Sequence, residues 1–278
     1  MHEFWDFSWN ENGLIDLPSI IDYVLETTGR DKLMTIGHSM GVTAQVVLMS
    51  ERPSYADKII CSVVLAPPVF FSTPPAVLAT VRRFFQVLPQ LKNSIGRNVV
   101  NDKLPFTEQC MIPYCFSQSN NKFSDMCRAA IHLLMGKPQK RMDNDYALKM
   151  LAHFPGGASI RQVLHYLQVV ESARICQAHY KSKGVFKKYD FGSEKNLKLY
   201  GSPHSPAYNL SAITTPMHVY YGTSDGLVSP VDAQKFVDTF PSVKEVHILP
   251  YNHVDFVLAD DVGETLIRPI VKTLLKYI

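Results

Sequence analysis

Gly37-His38-Ser39-Met40-Gly41 has the spacing G-x-S-x-G. Three fixed residues of about 7% usage each produce that pattern by chance in roughly one chain of this size in ten, so its neighbours decide its meaning. Residues 32–36 precede it as a short run apolar on both faces, the pattern of a central parallel strand, and a helix is expected from about 42 to 50. A serine flanked by glycines between strand and helix is forced into a tight, strained turn with φ > 0 that projects its hydroxyl above the sheet. Such a hydroxyl is a poor nucleophile at neutral pH. It needs an imidazole to take its proton and a carboxylate to orient that imidazole.

Both partners are expected downstream, acid first, each in a loop after the C-terminal end of a strand. Asp225, in Gly222-Thr223-Ser224-Asp225-Gly226, follows the apolar run 217–221, and His253, in Pro250-Tyr251-Asn252-His253, follows the run 245–249. Asp225 competes with a plain turn role before Gly226, and with Asp255, which starts a helix after His253 and reads as its N-cap. His218 and His247 lie inside strands, and His38 beside the serine reads as structural. His153, His165, His179 and His204 lie in or beside an insertion, with no H-x-x-x-H pair to suggest zinc. The chemistry implied is acyl transfer without metal or cofactor. The backbone N–H of Met40 supplies one donor to the oxyanion. The second belongs to the loop of an earlier strand, whereas residues 1–38 hold one helix and the strand before Ser39.

The elements that must carry these groups follow from periodicity. Asp16-Leu17-Pro18 opens a helix, with Asp16 at the cap, and Ile20, Ile21, Val24 and Leu25 recur at helical spacing until Gly29. Residues 59–65 form a buried strand stopped by Pro67-Pro68. Helix, strand, turn, helix, strand is the grammar of a parallel α/β sheet. From 69 to 206 the pattern changes to helical stretches (76–91, 126–135, 159–171) broken by Pro, Asn and Ser, an insertion over the sheet. The alternation resumes with strand 217–221, helix 230–240, strand 245–249 and a terminal helix reaching Ile278. The core is therefore expected at 1–68 and 207–278. Lys181, Lys183, Lys187 and Lys188 read as a solvated face rather than a phosphate or headgroup site.

Composition sets the outer limits. Of 278 residues, 46% are hydrophobic and 19% charged, with 14 Gly and 18 Pro, an ordinary globular balance. A net charge of +3 gives no field to draw nucleic acid or an anionic membrane. Five cysteines without a CxxC pair exclude a zinc ribbon; within the cluster Cys110, Cys115 and Cys127, a disulfide and buried free thiols both stay open. No window approaches the ~20 apolar residues of a membrane helix. Residues 1–10 lack the basic and apolar regions of a signal peptide.

Taken together, Phe4-Trp5-Asp6-Phe7-Ser8-Trp9, Asp16-Leu17-Pro18, Tyr23, Thr28-Gly29, Gly37-His38-Ser39 and Ala66-Pro67 resemble the acid lipase family of α/β-hydrolases, which includes gastric lipase, lysosomal acid lipase and insect lipase-3-like proteins. Pro155-Gly156-Gly157, Tyr189-Asp190-Phe191-Gly192, Pro206-Ala207-Tyr208-Asn209-Leu210, Asp225 and Tyr251-Asn252-His253-Val254-Asp255-Phe256 resemble its later landmarks. The resemblance implies an α/β-hydrolase parallel sheet with a helical cap at 69–206 over an apolar acyl site. It implies a lipase of triacylglycerols or cholesteryl esters at a lipid–water interface, with Ser39 as nucleophile, His253 as base and Asp225 as orienter. It also implies a secreted or lysosomal parent, in which the sequon Asn209-Leu210-Ser211 would be glycosylated. Three departures stand out. Met40 replaces the family's usual glutamine, which alters packing but leaves the backbone N–H. Residues 170–185, with Cys176 and His179, run longer than the family pattern. The family's leader and first strands are not in this chain, which therefore reads as truncated at its N-terminus. A non-catalytic remnant that binds lipid or a partner is the alternative; a hydrolase of small soluble esters would need a less apolar cap than 76–91.

Overall fold

The computed structural model describes residues 3–72, 99–100, 129, 132, 135–137, 140, 157–180 and 185–278. The expected cap stretches 76–91 and 126–135 fall almost wholly outside these residues, as do Cys110, Cys115, Cys127 and His153. Among the described residues four strands make the main sheet: β1 (Leu33–His38), β2 (Ile59–Leu65), β5 (Met217–Gly222) and β6 (Val243–Leu249), in the order β1-β2-β5-β6. All three pairings are parallel, as crossover connections require. β3 (Val99–Val100) and β4 (Ala158–Ser159) form a separate antiparallel ribbon.

The central strands β2 and β5 are buried almost throughout, which is why their sequences are apolar without alternation. Val64 and Val219 join a large cluster on one face with α3 (Met40–Glu51), whose residues 42–50 are all buried. On the other face Val63, Leu65 and Tyr220 pack with Leu266 and Ile270, the latter from α7 (Arg268–Leu274). Residues 32–36 have the apolar pattern of a central strand; among the described residues β1 ends the order, and Ile36 is 54% exposed. The second cluster covers β2 and β5 on that face and includes no residue of β1.

An α-helix opens at Leu17 as expected, but helical turns precede it. Ser8 caps α1 (Trp9–Glu11): its Oγ accepts from the Asn10 amide, and Glu11 reaches back to the Ser8 N–H, a capping box. The helix passes through a π-turn at Asn12–Asp16 into α2 (Leu17–Thr28), and Asp16 accepts from the Asn12 side chain at 2.8 Å instead of capping. Pro18 has no N–H for a carbonyl one turn back, so a widened turn before it is a natural relief.

The far end of the stretch expected as an insertion, 69–206, is built into the same core. α4 (Ile160–Tyr180) places His165 flat on Trp9, with ring centroids 3.5 Å apart, and Phe186 stacks on Trp9 at 5.0 Å. Val69, Phe70, Phe71, Val169 and Val170 belong to the cluster that holds Val64 and Val219. A buried Phe or Val contributes about 1.5–3 kcal/mol, so these stretches stabilise the core. α5 (Ser193–Tyr200) and α6 (Pro230–Thr239) complete the descent to β6. Lys188 is no solvated lysine: it pairs with Glu51 at the end of α3 and lies over the Tyr208 ring.

Candidate active site

Ser39 is the residue between β1 and α3, with φ 55° and ψ −123°. Ser39 and Ala66 are the non-glycine residues with positive φ among those described, and such a backbone costs roughly 1–3 kcal/mol unless its surroundings enforce it. Here the Ser39 N–H donates to the Leu65 carbonyl at 3.0 Å, and its own carbonyl accepts from Val42 at 2.9 Å. Gly37 lets the elbow close, since a Cβ there would stand 2.8 Å from the Gln45 amide; one at Gly41 would meet nothing within 4 Å. Gln45 is itself fixed, accepting from Ser62, whose hydroxyl accepts from Thr35.

His253 and Asp225 arrive from the C-terminal ends of β6 and β5. His253 Nε2 lies 2.7 Å from Ser39 Oγ, and its Nδ1 lies 2.8 Å from Asp225 Oδ2. Both side chains are buried, at 5% and 0% exposure. A carboxylate only accepts, so the proton sits on Nδ1 and Nε2 is left to accept from the serine. Asp225 cannot swing, because its Oδ1 accepts the Leu227 and Val228 amides, both at 2.8 Å. The two loops are laced together: Thr223 N–H donates to Leu249, and Ser224 N–H to Tyr251. Met40 is the first residue of α3, where an amide has no intrahelical acceptor and the helix dipole favours negative charge. Its Sδ lies 3.4 Å from Gln162 Nε2.

His38 has a structural place, with Nε2 donating to the His253 carbonyl at 3.0 Å; burial holds its pKa down to about 4. Asp255 is not the helix cap. Asn252 Oδ1 accepts the Val254 and Asp255 amides, and Asp255 Oδ2 accepts the Asn252 N–H, a reciprocal arrangement signalled by the spacing N-x-x-D. The carbonyls of Met135 and Gly136 also reach these two loops, a contact no motif announces. A glycine directly after the expected helix 126–135 was their only local signal. Asn209 lies elsewhere, exposed, accepting from Ser211 Oγ at 2.6 Å. Among the described residues no group of three or more His, Cys, Asp or Glu could hold a metal ion, and no helix is long and apolar enough to cross a membrane.

A strained serine after a parallel strand, with a histidine and an aspartate brought to it from two later strand ends, defines a class of fold, and residues 6–260 match the family model for the alpha/beta hydrolase fold. The chain belongs to the α/β-hydrolases, and the curated proteins it is similar to are lipases. It is 32% identical to Lipase 1 of Drosophila melanogaster, over 99% of this chain and 58% of that protein. It is 31% identical to Lipase member N of Homo sapiens, over 99% and 66%. With gastric triacylglycerol lipase of Bos taurus the identity is 30%, over 97% and 64%. The chain thus spans 58–66% of the length of these relatives.

Proposed function

We propose that the chain is a serine hydrolase of neutral lipid esters, triacylglycerols or cholesteryl esters, acting through Ser39, Asp225 and His253. The observation that carries this reading is the continuous relay from Ser39 Oγ through His253 to Asp225. In the reaction, His253 Nε2 takes the hydroxyl proton as Oγ bonds to the ester carbonyl carbon. The oxyanion then forms against the Met40 N–H. The imidazolium, held by Asp225, returns the proton to the departing alkoxide, leaving an acyl-serine. Water repeats the sequence: His253 takes its proton, its oxygen bonds to the acyl carbon, and Ser39 leaves with the proton restored.

The lipid-ester substrate class is supported by the lipase relatives, one of them a triacylglycerol lipase; the role of 69–206 as a cap, glycosylation of the exposed Asn209, and a secreted or lysosomal setting belong to the same reading. Fatty-acid release from emulsified triolein and cholesteryl oleate, beside p-nitrophenyl butyrate, tests it. The expected result is hydrolysis of the emulsions that falls at least ~10⁴-fold in Ser39→Ala. Turnover of the butyrate alone would replace the lipid substrate with a small ester. No turnover of any ester would favour a lipid- or partner-binding role.

A further inference from the structure

The acid loop and the base loop meet a third segment that comes from the middle of the insertion. The Met135 carbonyl accepts two amides at once, Gly226 N–H at 3.1 Å and His253 N–H at 2.9 Å. One belongs to the residue after the acid and the other to the base itself. Both lone pairs of that oxygen are thereby used. The next carbonyl, Gly136 O, accepts from Asn252 Nδ2 at 3.2 Å. Gly136 has φ +95°, and a Cβ on it would stand 1.9 Å from Ser224 O and 2.7 Å from Gly226 N. A Cβ on Gly226 would in turn stand 2.5 Å from Gly136 N. Four residues on, Lys140 Nζ lies 2.6 Å from Asp261 Oδ2, and Asp261 Oδ1 accepts the Tyr251 hydroxyl at 2.9 Å.

We propose that the Met135-Gly136 turn is a positioning element of the catalytic relay, a brace that fixes the separation of Asp225 and His253. This rests on the serine-hydrolase reading above and adds a residue-level role within it. The backbone of His253 is gripped from two sides, by Met135 through its N–H and by His38 through its carbonyl. Asp225 is gripped through the amide that follows it. The hydrogen bonds of Met135 and Gly136 go to Gly226, His253 and Asn252 and not to Ser39, so they act through the acid and base. A shift of about 1 Å in such a group costs on the order of 10²-fold in rate. The insertion then has a second task beyond covering substrate, because whatever moves this turn also moves the relay.

The test uses the 278-residue chain, Gly136→Ala, and Asn252→Ser, which keeps an oxygen for the Val254 and Asp255 amides but deletes the donor to Gly136. The readouts are kcat and KM for p-nitrophenyl butyrate against pH, per site titrated with a fluorophosphonate, and the low-field proton resonance of His253 Nδ1–H. Gly136→Ala is expected to lower kcat per titrated site about 10–100-fold with KM within about twofold. Its kcat–pH profile should differ from the parent's, and its low-field resonance should shift or broaden as Nδ1–H loses its alignment with Asp225. Asn252→Ser should change the same readouts in the same direction by less, and decides the matter alone if Gly136→Ala does not fold. Variants that lose only titratable sites, with the pH profile and resonance unchanged, would overturn the brace and leave the hydrolase reading intact. A parent chain that neither titrates nor turns over would overturn both.

Discussion

Asp225 and His253 stand on loops tied to one another and to Met135 by backbone hydrogen bonds, and to Gly136 through the Asn252 side chain, whereas Ser39 stands at the end of the last strand in the order among the described residues, paired on one side with β2. On the acid–base side, polar contacts set the geometry: Asp225 alone accepts two amides and the imidazole. On the nucleophile side, burial sets it, through α3 packed on β1 and the Gln45 side chain wedged under Gly37. The difference separates two ways of failing. A change on the acid–base side should alter chemistry while leaving the fold standing; a change under the elbow should alter both.

The largest expected effect is that of His253→Ala, a loss of about 10⁴–10⁶-fold in kcat, since triad members act as a unit. Asp225→Asn should cost about 10⁴-fold, and on this side of the molecule that loss is chemical. The carboxamide put in place of the carboxylate would still offer an oxygen to the Leu227 and Val228 amides, keeping the loop, while its NH₂ faces Nδ1 and enforces the wrong tautomer. The urea midpoint of Asp225→Asn should equal that of the parent. A large drop in that midpoint would show that the acid holds the fold as well as the imidazole.

Acid should weaken the other side. His38, next to Ser39, is held to a pKa of about 4 chiefly by burial, and His165, stacked on Trp9, to about 3 for the same reason. Unfolded, each takes a proton below its ordinary value of 6.5. Stability is therefore fully present above pH 6.5 and is lost as pH falls from there towards 4. His165→Phe keeps the stack but leaves the Lys187 carbonyl without its 3.0 Å donor. It should be about 1 kcal/mol less stable than the parent at pH 7.5, yet lose less than the parent between pH 7.5 and 5. Urea titrations at the two pH values measure this, and an equal loss in both proteins would remove His165 from the account.

What the sequence made legible divides along the same line. Ser39, Asp225 and His253 could be found because each directly follows an apolar run that ends at a turn, and a strand's end is a local signal. The strand bounds of β2 and the start of α6 at Pro230 were readable for the same reason. α2 opens at Leu17, where Asp16 and Pro18 put it, but the helical turns before it went unread because their signal, the capping box at Ser8 and Glu11, lies upstream of the periodic apolar residues. Lys188 looked solvated because its partner, Glu51, is 137 residues away. The contact of Gly136 with Asn252 spans 116 residues, and no periodicity records which distant carbonyl a loop amide will find.

The most direct test of the relay is covalent. The 278-residue chain, Ser39→Ala and His253→Ala are incubated with an alkyl fluorophosphonate and digested, and the adduct is mapped by mass spectrometry. A single adduct on Ser39 is expected in the parent, none in Ser39→Ala, and labelling slowed at least ~10²-fold in His253→Ala, where no base takes the hydroxyl proton. An adduct on another residue, an undiminished adduct in Ser39→Ala, or no labelling of the parent would contradict the relay.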